Sequence, residues 1–86
     1  MLLKDISRAI ERQYSHELLN ARRTIAEIQH LGPRVVRCVI FLANGDLQQL
    51  EYYTQQALQD PRDVMYWAEY DRDTDEQLRD FNEPFT

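Results

Sequence analysis

Apolar residues recur through the first third of the chain at steps of three or four: Leu3, Ile6, Ile10, Tyr14, Leu18, Ala21, Ile25, Ile28 and Leu31. That is the period of one face of an α-helix. Asp5 or Ser7 can cap its start and Gly32-Pro33 stops it, so the spacing predicts one long helix over residues 5–31. Such a helix is about 40 Å long, whereas a compact globule of this chain length is only about 31 Å across. The overhanging stripe needs a cover, and a second copy is the economical one. A homodimer seamed at Ile10, Tyr14 and Leu18 is therefore expected. The alternative is a break near Tyr14-Ser15-His16, where helix propensity dips.

Residues 34–44 are apolar almost all round, apart from Arg34 and Arg37, and belong at the centre of the packing. Asn44-Gly45 is also a hairpin signal that would pair residues 35–43 with 46–54. Leu47-Gln48-Gln49-Leu50 breaks the alternation a half-buried strand requires. Leu47, Leu50, Tyr53 or Thr54, Ala57 and Leu58 fit the helical period instead. Gly45 suits a helix end and Asp46 the next cap, while Asp60 can cap a helix that has Pro61 at its first position. Asp63, three residues after Asp60, suggests a reciprocal cap.

The expectation is an all-α, four-helix bundle-like domain, with one long N-terminal helix (5–31) and three short ones (34–44, 47–59, 61–72). Val64, Trp67 and Ala68 face inward on the last helix. Residues 1–86 form a single domain, of which residues 73–86 make an acidic C-terminal tail expected to fray, with Leu78 and Phe81 as its docking candidates.

Within residues 41–61, Gly45-Asp46 falls at a turn, Ala57-Leu58 follows late in the second helix, and Asp60-Pro61 closes the unit. This block resembles one tetratricopeptide-type helical hairpin. It departs from the family at Leu50, where alanine is preferred, and in a proline that comes one residue early. There is no second repeat, so the resemblance implies a helical hairpin and not a peptide-binding solenoid. A broader block, Arg37-Cys38 through Gly45-Asp46 to Arg62-Asp63-Val64 and Trp67-Ala68-Glu69-Tyr70, resembles small bacterial all-helical proteins. That resemblance implies a bacterial cytosolic origin and brings no activity with it.

Composition adds a polarity to this picture. Hydrophobic residues make up 43% and charged ones 29% of the chain, ordinary for a folded domain. The net charge of −5 divides unevenly, with +3 on residues 1–45 and −8 on residues 46–86. A basic partner, a second copy or the chain's own halves can answer that asymmetry. Cys38 is the lone cysteine, which favours a reducing compartment. Met1-Leu2-Leu3 runs at once into Lys4-Asp5, unlike a secretory signal. The longest apolar run, residues 35–43, is interrupted by Arg37 and too short for a bilayer. A cytoplasmic protein without a membrane partner is expected.

Candidate chemistry is sparse. Asp71, Asp73 and Asp75 have the spacing that opens a calcium-binding EF-hand loop, whose alternate oxygens converge on a hard cation. Glu76 stands where that loop needs glycine and Asn82 where it needs the closing glutamate, so a solvated acidic stretch is the simpler reading. His16, His30 and Cys38 lack metal-ligand spacing. With only Gly32 and Gly45 there is no phosphate-cradling loop. No catalytic residue, metal or cofactor is assigned. Arg22, Arg23, Arg34 and Arg37 can line up near a helix corner and touch phosphates, although the acidic chain would repel a polyanion. Tyr66 and Tyr70, spaced i, i+4 and flanked by Arg62 and Glu69, have the composition of a protein-binding hot spot. The functional expectation is a non-catalytic interaction or adaptor protein that binds itself or another protein. Its alternatives are a nucleic-acid-associated regulator using the four arginines, and a small metal-dependent enzyme.

Overall fold

Asn44 and Gly45 both take left-handed backbone, at φ 49° and 81°. This closes one helix and lets the Asp46 carboxylate accept from the Gln49 amide at 3.1 Å, capping the next. The Asp60 carboxylate accepts from the Arg62 amide at 3.0 Å, with Pro61 in the first helical turn. A computed structural model describes residues 2–85. Their helices are α1 (Lys4–Gln13), α2 (Leu18–Ala26), α3 (Pro33–Ala43), α4 (Leu47–Gln59) and α5 (Pro61–Glu69), with a 3₁₀ turn at Gln29–Leu31. No strand is present among the described residues; Tyr70 and Gln77 form one isolated antiparallel bridge.

The long helix expected over residues 5–31 is two helices, broken near Tyr14-Ser15-His16 as in the alternative reading, and the α-helices number five rather than four. Tyr14 ends α1 at φ −125° and ψ 37°, its amide donating to the Ile10 carbonyl. The physical reason lies in what Tyr14 meets. Its ring is only 2% exposed, and its hydroxyl points at the Asp46 carbonyl, 3.5 Å away, in the α3–α4 corner. Burial there pushes the phenol up to about 12. By reversing just after Tyr14, the chain lays both halves of its stripe on one core. Ile6, Ala9 and Ile10 enter it from α1, and Ala21 and Ile25 from α2. The overhang disappears, since the molecule measures 37 × 27 × 22 Å. Ile10 and Tyr14, expected at a dimer seam, lie inside the chain's own core, and Leu18 is packed against that core. The length argument for a second copy therefore lapses.

α3 occupies the centre, packed on α4 and α5 with α1 against it. Val35, Val36, Cys38, Val39, Ile40 and Ala43 are all buried along it, each large aliphatic contributing about 1.5–3 kcal/mol of transfer free energy. Burial of the Cys38 thiol pushes its pKa up to about 12, so it behaves as a small hydrophobe. α5 stops at Glu69, three residues before the expected end, because Tyr70 turns extended (φ −116°, ψ 150°) to meet Gln77. None of the helices is long and apolar enough to cross a membrane.

Residues 70–85 run back across this bundle as a strap. The Leu78 amide donates to the Glu69 carbonyl at 2.7 Å, and Arg79 donates to the Ala68 carbonyl at 2.7 Å while lying 4.5 Å over the Phe41 ring. Phe81 is buried against Phe41 and Phe85, whereas Leu78 is 52% exposed. The strap thus joins the end of α5 to the start of α1.

Candidate interaction faces

Two ion pairs, each with one nearly fully buried member, hold the strap. Glu69, with no exposed surface, receives Arg34 on both oxygens, at 2.6 and 3.0 Å. One of those oxygens also accepts from the Phe81 amide at 2.8 Å. That planar, two-pronged geometry suits guanidinium and carboxylate, and the carboxylate holds Arg34 above its already high range. Arg37, also buried, donates to both oxygens of Asp5 at 2.8 and 3.2 Å and to the Phe81 carbonyl at 3.0 Å. Asp5 accepts in addition from the Phe85 amide at 3.1 Å. The hydrogen bonds from Arg37 keep the Asp5 carboxyl below its usual range.

These pairs redistribute the candidate residues. Of the four arginines read as a phosphate-binding set, Arg34 and Arg37 are turned inward onto Glu69 and Asp5, while Arg22 and Arg23 stay on the surface. Arg22 pairs there with Glu11 at 3.3 Å. The structure does not gather the four into one patch.

On α5 the expected face is only partly assembled. Tyr66 and Tyr70 lie half-buried, their rings stacked at 5.6 Å and 11°. The Tyr66 hydroxyl donates to the Asp75 carboxylate, which raises the Tyr66 phenol above its ordinary range. Arg62 projects beside the start of α5 with 84% of its side chain exposed, its guanidinium folded onto both oxygens of Asp60 at 3.0 Å. That contact keeps the Asp60 carboxyl low, and Asp60 therefore pairs with Arg62 where a reciprocal cap with Asp63 was expected. Glu69, the fourth member of the expected face, points the other way into the core. Tyr53 and Trp67, expected inside, are half-buried and meet edge to face at 6.3 Å.

The acidic loop is closed by its own backbone. Asp71 accepts from the amides of Asp73 and Thr74, and Asp75, left-handed at φ 57°, faces Tyr66. Asp71, Asp73 and Asp75 do not converge, and among the described residues no three His, Cys, Asp or Glu side chains gather as a cation needs. His16 and His30 are exposed while Cys38 is buried in the core.

One surface lay outside the expected sites. Lys4, Arg8 and Arg12 line an open groove of about 500 Å³ with Leu3, Pro84 and Phe85. Their four-residue spacing is legible in the sequence, between the apolar positions that define α1.

No family model matches the chain, and no curated protein or solved structure is significantly similar to it.

Proposed function

We propose that the protein is a non-catalytic interaction domain that engages a partner protein through the tyrosine face of α5. The observation that supports this reading is the stacked pair Tyr66–Tyr70, half-exposed and tied down at one end by Asp75. Rings already fixed in the free chain lose little rotamer entropy on binding, and tyrosine offers a large apolar body with a polar tip. The exposed stem of Arg62, its guanidinium held by Asp60, extends the same composition along the helix. A cytoplasmic setting belongs to the reading, because a lone inert thiol suits a reducing compartment.

The test is a pull-down from nuclease-treated lysate with wild-type and Tyr66→Ala/Tyr70→Ala chains, both checked by circular dichroism. The expected result is a protein retained near stoichiometry by wild type and lost by the folded double variant. Equal retention by both chains, or none by wild type, overturns the proposal.

A further inference from the structure

Cations that face solvent in a row, beside a cleft with aliphatic and polar walls, ask for a ligand that offers both chemistries. Lys4, Arg8 and Arg12 are exposed on α1, spread over about 12 Å of helix. None forms an ion pair with a side chain among the described residues. Arg37, the fourth cation at this groove, is already neutralised by Asp5. On the other side of Leu3 lies a second cleft, of about 360 Å³, lined by Leu2, Leu3, Ile6, Pro33 and Val36 together with Gln29 and His30. Leu3 belongs to both clefts and is 49% exposed. The two clefts meet at Leu3 as a trough, with Lys4, Arg8 and Arg12 along one flank and the aliphatic Leu2, Ile6, Pro33 and Val36 beside polar Gln29 and His30 on the other.

We infer that this trough docks an acidic amphipathic helix of a partner protein, with carboxylates on Lys4, Arg8 and Arg12 and an apolar side chain in the Leu2–Val36 cleft. Three arguments select that occupant. The cations form a line rather than a cradle, so they match a row of carboxylates better than one phosphate. Carboxylates at i, i+4 and i+8 on a helix recur at the same step of about 6 Å, so a helix lying along α1 places all three in register. Finally, residues 46–86 carry a net −8. An extended polyanion or an anionic membrane meets that field, whereas a short segment meets only charges within a screening length of about 8–10 Å. This site is separate from the α5 face, and its test does not depend on the tyrosines.

The experiment measures anisotropy of a fluorescein-labelled designed helix, with Glu at every fourth position and Leu on the adjoining face, titrated with the full chain. A twin peptide carries Gln for every Glu. Saturable binding is expected for the Glu peptide, weaker by roughly tenfold or more for the twin and for Arg8→Gln/Arg12→Gln, and unchanged for Arg22→Gln/Arg23→Gln. Circular dichroism confirms that these surface variants fold. Leu3→Ser tests the apolar flank and should weaken the Glu peptide without restoring parity between the two peptides. The proposal is overturned by absent saturation, by equal affinity for the two peptides, or by indifference to Arg8 and Arg12. Tighter binding of a single-stranded oligonucleotide or of phosphatidylserine vesicles also overturns it, and assigns the row to a polyanion instead.

Discussion

Around α3 the molecule is held by aliphatic surfaces, whereas the strap of residues 70–85 is held by two arginines of the same helix, Arg34 and Arg37, through Glu69 and Asp5. Val36, Val39 and Ile40 are indifferent to pH and tolerate neighbours of similar volume. Arg34 and Arg37 act through fixed hydrogen-bond directions, and the buried Arg37 and Glu69 must each find a partner, because a buried charge without one is costly. The contrast shows why a chain this small can close its C-terminal arm with Phe81 as the one buried apolar side chain among the described residues 70–85. It also divides the stability of the protein into a part that charge chemistry can reach and a part that it cannot.

The largest break in that contrast comes from Arg34→Ala, which strands the Glu69 carboxylate with no exposed surface. A loss of roughly 3–5 kcal/mol in urea unfolding is expected. Glu69→Ala should cost less, because Arg34, with 35% of its side chain exposed, can return to water. The double variant Arg34→Ala/Glu69→Ala should be more stable than Arg34→Ala alone. Simple additivity of the two losses would show that the residues act through packing and not as a pair.

Asp5→Asn sharpens the comparison through pH. It leaves Arg37 with two backbone carbonyls but no counter-charge, and roughly 2–4 kcal/mol should be lost at neutral pH. The folded Asp5 carboxyl titrates below the usual carboxylate range, so its contribution is complete above the unfolded value. It disappears as the pH falls through the folded one. The stability gap between wild type and Asp5→Asn should therefore close as the pH falls below about 5 and on through the folded value. A gap that stays constant over this range would assign the effect to shape and not to charge.

How legible these regions are in the sequence follows from the range of the forces that set them. Asn44-Gly45-Asp46 and Asp60-Pro61 decide their corners by local backbone chemistry, and they turn where the residues say they should. The centrality of α3 is equally plain from its apolar run. Tyr14 is different. Ile10, Tyr14 and Leu18 keep the helical step through the break; the dip in helix propensity at Tyr14-Ser15-His16 marks where it can fall, while the corner that Tyr14 meets lies 32 residues away. The ion pairs join residues 35 and 32 positions apart, and in the sequence their members look like any surface charge. The readable clue was Arg37 itself, a cation inside the run of residues 35–43, which had to have a partner. For the α5 face, the tyrosine spacing was legible but the inward turn of Glu69 was not, because the i+3 position lies beside the core as readily as beside Tyr66. The basic row of α1 was in plain view and carries its meaning only beside the clefts that the fold creates.

The smallest expected change has the opposite sign and falls on the apolar side of the comparison. Thr54 sits in α4 with no exposed surface, and its hydroxyl oxygen has no hydrogen-bond partner among the described residues. Among aliphatic neighbours an unpaired hydroxyl costs free energy that a methyl group does not. Valine has the same branched shape and a similar helix propensity, so Thr54→Val exchanges the hydroxyl for a methyl with little strain. A gain of about 1 kcal/mol is expected, seen as a higher urea midpoint with an unchanged slope. Because no titrating group is involved, the gain should be the same at pH 4 and pH 7, in contrast to the response of Asp5→Asn. A loss of stability would mean that the hydroxyl is bonded after all, for instance to a carbonyl one turn back in α4, and that the centre of the molecule is less purely aliphatic than its buried residues suggest.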